Sequence, residues 1–176
     1  MSIKTYNLQR IQTWDEAWCL RFNRASFNPA IRQIFRLISR LGDGLFWYCL
    51  MLSLLLEYRG EALLPVLHMA VAGLVCTGLY KWLKHKTHRP RPFSRNRDID
   101  CGIAPLDQFS FPSGHTLHAV AFSIVALSYY PALAWLLLPF TSLVAISRLV
   151  LGLHYPSDVL AGVLIGATIS SLSLSI

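Results

Sequence analysis

Residues 108–147 read QFSFPSGHTLHAVAFSIVALSYYPALAWLLLPFTSLVAIS, forty positions without one Asp, Glu, Lys or Arg. A bilayer crossing takes about 20 predominantly apolar residues. The run is therefore too long for one crossing and long enough for two. Pro131, directly after Tyr129 and Tyr130, cannot donate to a helical ladder. It divides the stretch into two spanning helices joined by a tight turn.

The same texture recurs on both sides. Val159 to Ile176 is uncharged and carries Gly162 and Gly166 at the small-xxx-small spacing that lets helices approach closely. Ala62 to Tyr80 is apolar and ends in Lys81 and Lys84, after a tight polar turn at Glu57-Tyr58-Arg59-Gly60-Glu61. Leu45 to Leu56 is uncharged but short, so it must extend through its flanks to about Leu41–Tyr58, with Gly42-Asp43-Gly44 breaking the pattern before it. Residues 85–111 are basic, Pro-rich and too irregular to cross lipid.

Residues 1–41 differ. Lys4, Arg10, Asp15, Glu16, Arg21 and Arg24 lie among Trp14, Trp18 and Phe22, a mixture that cannot span. From Pro29, Ile31, Ile34, Phe35, Ile38 and Leu41 share one helical face, with Arg32, Arg36 and Arg40 off it. A basic amphipathic helix beside tryptophans is expected in the headgroup plane. These patterns predict an all-α polytopic membrane bundle. About five transmembrane helices in residues 42–176 stand behind an N-terminal amphipathic, interfacial segment, 1–41.

Composition agrees. The 176 residues suffice for one domain, 54% are hydrophobic, only 14% are charged, and mean hydropathy is +0.45. The net charge of +7 would suggest nucleic acid in a soluble protein, but here the cations crowd the ends of the apolar runs. Membrane lipids with anionic headgroups, or a phosphate substrate, explain that placement, and nucleic acid does not. Cys19, Cys49, Cys76 and Cys101 are too widely spaced for a zinc site or disulfide framework, and Cys49 and Cys76 suit small buried hydrophobes. The start of the chain is too polar for a cleavable signal peptide, so the mature protein is expected to begin here.

Parity gathers the chemistry. The second spanning helix delivers Lys84 to one face, the third leaves it from His115, the fourth returns with Arg148, and the fifth departs after Asp158. Pro112-Ser113-Gly114-His115 opens an apolar helix, with Ser113 as N-cap. Its unpaired N–H groups and dipole form an anion site, Gly114 permits close approach, and His115 projects from the first turn. Pro156 suits the first position of the last helix, which puts Asp158 in its first turn and His154 just before it. The Asp158 carboxylate is expected to accept one ring N–H of His154, leaving the other nitrogen free as nucleophile or base. Arg148 offers a planar fork for phosphate oxygens, while Lys84 and Arg91 supply two more cations. A His/Asp/Arg set is costly near a bilayer, which favours function over packing. Lys86, Arg89, Arg95 and Arg97 read as a solvated or headgroup-binding face. His85, His88 and His118 give no convincing three-ligand spacing, so no metal is expected. His68 reads as a hydrogen-bonded helix contact.

Together, K-x6-R-P at Lys84–Pro92, P-S-G-H at Pro112–His115 and S-R-x5-H-x3-D at Ser147–Asp158 resemble the type 2 phosphatidic acid phosphatase family. The wider superfamily also holds glucose-6-phosphatase and the vanadium haloperoxidases. All three motifs are complete and in the family's order, and the resemblance covers roughly Gly42 to Ile176. It implies that Lys84, Arg91, Ser113, Gly114 and Arg148 hold phosphate. His154 would attack phosphorus, Asp158 would orient it, and His115 would protonate the leaving oxygen. The implied reaction passes through a phosphohistidine, with no cofactor and no metal. The implied partner is a phosphorylated lipid.

Compact chains of this layout resemble undecaprenyl-diphosphate phosphatases, which makes that substrate the first expectation. Phosphatidylglycerophosphate or phosphatidate is the alternative. A non-catalytic lipid-binding or transport protein on the same fold is the reading from another class, and the presence of His115, His154 and Asp158 speaks against it. Arg59 alone among the 16 Lys and Arg falls on the face opposite the site. The positive-inside rule would place the site in the cytoplasm, whereas bacterial relatives that recycle lipid carriers face the periplasm. The expected location is a bacterial inner membrane with the site toward the periplasm.

Overall fold

The computed structural model describes the backbone of residues 3–175 and the side chains of residues 10–175. The side chain of Lys4, and Ile176 at the end of the last apolar run, lie outside the described residues. Helices follow one another as α1 (Ile3–Asn23), α2 (Pro29–Arg40), α3 (Phe46–Tyr58), α4 (Leu63–Thr87), α5 (Pro92–Arg95), α6 (Gly114–Tyr129), α7 (Ala134–Val150) and α8 (Pro156–Ser173). The described residues contain no strand.

Each of the five apolar runs forms a helix, namely α3, α4, α6, α7 and α8. Three stretches are long and apolar enough to cross a membrane: Pro29–Arg95, which runs over several helices, Pro131–Val150 and Pro156–Ser173. α6, with 16 residues, is only about 24 Å long at 1.5 Å per residue. It is the central helix, packed on α4, α7 and α8. Pro131 begins a single 3-10 turn between α6 and α7, so the tight turn falls where proline requires it.

Apolar side chains face outward as well as inward. Leu74 and Leu56 are each 72% exposed and Trp135 is 75% exposed, whereas Asp15, Arg148, His154 and Asp158 are buried. That inversion suits a chain whose surroundings are hydrocarbon. Trp47, Leu50, Leu54, Met69, Val125, Leu137 and Val144 fill the core between α3, α4, α6 and α7. The contact between α6 and α8 depends on two glycines. A Cβ on Gly162 would lie 2.8 Å from the Ser113 carbonyl oxygen, and one on Gly166 would lie 2.5 Å from that of Leu117. Nothing larger than hydrogen fits, and the closeness brings the start of α6 beside the start of α8.

Gly42-Asp43-Gly44 kinks the chain between α2 and α3. Gly44, with φ of +133°, is non-helical, in a conformation that side chains other than glycine's rarely adopt. The kink leaves Asp43 at the inner end of α3.

α1 packs against α7 and α8, and α2 lies along α7, so the described part of the N-terminal segment is also attached to protein. Arg32 pairs with Asp100, and Arg36 Nε donates to the Gly102 carbonyl at 2.5 Å. These two arginines tie down the 96–104 loop. One expectation needs correction: Cys49 is exposed on α3, while Cys76 is buried as expected.

Candidate active site

The end of α4, the start of α6, the end of α7 and the start of α8 converge at one end of the bundle. Lys84, on the last turns of α4, is 5% exposed. Its Nζ lies 2.6 Å from both carboxylate oxygens of Asp107 and donates to the Phe109 carbonyl at 3.1 Å. Arg91 precedes α5 and is 3% exposed. One Nη donates to Asp107 Oδ1 at 2.9 Å, and Nε donates to the Asp107 carbonyl at 3.1 Å. The other Nη donates to the Leu153 carbonyl at 2.8 Å and lies 3.4 Å from His154 Nε2.

His154 is fully enclosed in the short link between α7 and α8. Its Nδ1 lies 2.6 Å from the Ser110 carbonyl oxygen. A carbonyl can only accept, so Nδ1 carries the proton and Nε2 keeps its lone pair on the side facing Arg91. Burial, together with the charges of Arg91, Arg148 and Lys84, holds the imidazole well below its ordinary pKa, and the bond to Ser110 only partly offsets this. The ring is therefore neutral at neutral pH. That is a positioned nucleophile or base.

The expected bond from His154 to Asp158 is absent: Nδ1 stands 3.8 Å from the nearer carboxylate oxygen, beyond hydrogen-bond reach. Asp158, at the third position of α8, acts one step away. Its Oδ2 accepts from the Ser110 hydroxyl at 2.6 Å and from the Tyr155 N–H at 2.9 Å. Holding Ser110 and the helix start, it supports the carbonyl that holds His154.

Asp158 in turn is tied down by Arg89, which the sequence placed on a solvated face. Arg89 donates to Asp158 Oδ1 at 2.6 Å, Ser157 Oγ at 2.8 Å and Asp15 Oδ2 at 2.7 Å. Its guanidinium lies 4.3 Å over the Tyr155 ring. Asp15, from α1, also accepts from the Ser157 N–H at 2.9 Å. The N-terminal helix thus reaches into the support of the site.

Ser113 occupies the N-cap of α6, but its hydroxyl pairs with Thr116 Oγ1 at 2.9 Å instead of capping the helix. Its N–H donates to the Asp158 carbonyl at 3.1 Å. Gly114 begins the helix, and a Cβ there would meet the Tyr80 ring at an ordinary 3.5 Å. Packing therefore does not demand glycine at that position. His115 Nε2 pairs with the carboxylate of Asp43 across the bundle. Arg148 is 3% exposed; one Nη contacts Ser39 Oγ of α2, while its buried Nε has no partner among the described residues.

The structure thus brings Lys84, Arg91 and His154 together through Asp107 and Ser110, with Ser113 joined to Asp158. His115 is held from the opposite side by Asp43. Sequence patterns missed Asp43, Asp107, Ser110, Arg89 and Asp15. Two had signals: Asp43 is an isolated charge in an otherwise apolar stretch, and Asp107 is the last acid before forty uncharged residues. His68 bonds Tyr129 Oη at 2.9 Å and Ser173 Oγ at 2.8 Å, and His118 bonds Thr77 and the Gly114 carbonyl. Both are helix contacts. Among the described residues, no three His, Cys, Asp or Glu side chains gather as a metal-holding group.

Comparison with known proteins places this arrangement in context. A family model described as the PAP2 superfamily matches residues 61–176. The chain is similar to the undecaprenyl-diphosphatase BcrC of Bacillus subtilis, 35% identical over 102 residues, which are 58% of this chain and 51% of that one. Of solved structures, Aquifex aeolicus LpxE superposes with a TM-score of 0.74 at 29% identity, covering 88% of this chain and 93% of that one. A transmembrane PAP2-type phosphatidylglycerolphosphate phosphatase from Bacillus subtilis superposes with a TM-score of 0.69 at 25% identity, covering 94% and 85%. The chain spans about half the length of the first curated relatives it matches.

Proposed function

Because this chain belongs to the PAP2 superfamily, matched over residues 61–176, we propose that it is a lipid phosphatase acting through a phosphohistidine, with undecaprenyl diphosphate as substrate. It is an integral membrane protein. The observation that carries the proposal is the buried, neutral His154, its Nδ1 tied to Ser110 and its Nε2 3.4 Å from Arg91.

In this mechanism Nε2 attacks the terminal phosphorus in line with the leaving oxygen. Lys84, Arg91 and Arg148 neutralise the equatorial oxygens, with Ser113 and the Gly114 backbone completing the cradle. The buried Nε of Arg148, without a partner among the described residues, leaves a donor for a phosphate oxygen. His115 protonates the departing oxygen. It then takes a proton from water, which attacks phosphorus and returns His154 to its starting state. Asp158 positions His154 through Ser110, and Asp43 faces His115. No step draws on a metal or cofactor.

The likeness to BcrC supports undecaprenyl diphosphate, and the likeness to the phosphatidylglycerolphosphate phosphatase supports the alternative. Residues 42–176 would form the catalytic unit and 1–41 its buttress. A bacterial inner membrane with the site toward the periplasm fits a lipid-carrier substrate. Part of the charge that argues for a cytoplasmic site is used within the protein, since Lys84, Arg89, Arg91, Arg32 and Arg95 all have acidic partners.

The test is phosphate release by purified protein in detergent from undecaprenyl diphosphate, phosphatidylglycerophosphate, phosphatidate and lipid A, with His154→Ala as control. Fastest turnover of undecaprenyl diphosphate is expected, insensitive to EDTA and inhibited by vanadate. Preference for phosphatidylglycerophosphate would favour the alternative. No turnover of any lipid by folded protein would favour a binding protein on the same fold.

A further inference from the structure

Asp107 belongs to none of the motifs, yet its carboxylate is the anion that Lys84 and Arg91 hold. Both oxygens lie 2.6 Å from Lys84 Nζ, and Oδ1 lies 2.9 Å from an Arg91 Nη whose sister nitrogen is 3.4 Å from His154 Nε2. The partners differ in freedom. The Lys84 side chain is 7% exposed and that of Arg91 3%, whereas that of Asp107 is 38% exposed. The cations are fixed in the bundle, and the acid reaches them from the surface. Residues 96–110 form no helix, and Ser110, which holds His154, is separately anchored through its N–H to the Arg89 carbonyl at 2.9 Å. The Asp107 side chain can rotate away while Arg91 Nε keeps its backbone carbonyl and Lys84 keeps that of Phe109, which leaves the support of His154 undisturbed.

We propose that Asp107 is an internal competitor, a carboxylate that substrate phosphate must displace from Lys84 and Arg91 to reach His154. This rests on the reading of those two residues as phosphate-holding cations. Two buried cations are costly without an anion, and the carboxylate supplies one between turnovers. Although burial alone would raise its pKa, the hydrogen bonds and charges of Lys84 and Arg91 hold it below the ordinary carboxylate value. Asp107 therefore stays ionised and keeps competing across the physiological range.

The consequence is selectivity by threshold. When a site is open only a fraction of the time, every ligand's apparent Kd rises by the reciprocal of that fraction. A terminal phosphate, carrying close to two charges at neutral pH and three free oxygens, binds tightly enough to overcome that factor. A phosphodiester headgroup, with one charge, does not. A site open to lipid is surrounded by such headgroups, and Asp107 keeps them from occupying it.

The experiment measures the inhibition constants of inorganic phosphate and of vanadate against lipid dephosphorylation by the full chain in detergent. Asp107→Asn is expected to lower both by a common factor on the order of ten, with Asp107→Glu close to wild type. Unchanged or raised constants in a folded Asp107→Asn protein would overturn the proposal, since Asp107 would then be arranging the cations. Lys84→Ala separates the two layers: if it leaves phosphate inhibition untouched, the assignment of the cations fails whatever Asp107 does. Should Asp107→Asn not fold, Asp107→Ser is measured in the same way: lowered constants for phosphate and vanadate support the proposal, and unchanged or raised ones overturn it.

Discussion

His154 donates its Nδ1 proton to the Ser110 carbonyl, and the bond fixes both tautomer and ring direction. Since burial and the neighbouring cations depress its pKa, protonation that would block attack sets in only at acidic pH. The acid limb of kcat/KM that reports His154 is therefore expected well below pH 6.5, the ordinary histidine value. A pH–rate profile whose acid limb is centred at or above 6.5 would contradict this. Because Asp158 touches Ser110 rather than the ring, Asp158→Asn is expected to retain measurable turnover where His154→Ala retains none. Equal loss in both variants would mean the carboxylate reaches the ring during catalysis. Arg89 compensates two fully buried carboxylates, so Arg89→Ala should destabilise the detergent-solubilised protein by about 3 kcal/mol. A melting temperature within a degree of wild type would show that Asp15 and Asp158 tolerate its loss.

At the scale of elements, the glycines of α8 set how close α6 can come. Gly166→Leu must push its side chain into the Leu117 carbonyl and is expected to cost about 1–3 kcal/mol, with activity falling because Ser113 and Asp158 separate. Gly60→Ala, with nothing within 4 Å of its Cβ, is the control expected to change neither. The apolar helices were legible because lipid enforces one rule over a fixed length, and Pro131 and the 57–61 turn mark their ends. α1 was not. It is held by Asp15, Cys19 and Asn23, whose contacts to Ser157, to His154 and to the backbone of Asp100 and Val150 leave no apolar stripe to read. Likewise Arg32 and Arg36 carry the same pattern whether they meet headgroups or a loop. Among the candidate site residues, those in short motifs were legible, while Ser110 holds His154 by its carbonyl, which side-chain identity does not report, and a lone serine does not announce that its hydroxyl meets Asp158.

Across the whole molecule, the convergence of the α4, α6, α7 and α8 ends follows from alternating spans and needs no detail of packing. Which side of the membrane that end faces is a separate matter, and cysteine labelling in intact cells tests it. With Cys19, Cys49, Cys76 and Cys101 replaced by alanine, Arg97→Cys should react with an impermeant maleimide and Gly60→Cys should not. The reverse pattern would put the site in the cytoplasm. The chemistry itself is tested most directly by trapping the intermediate. Terminally ³²P-labelled lipid diphosphate, mixed with excess protein and quenched in alkali within the first turnover, should leave an acid-labile, base-stable label on His154. That label should be missing in His154→Ala. Turnover by wild type with no label, or a label on another residue, would contradict nucleophilic attack by His154.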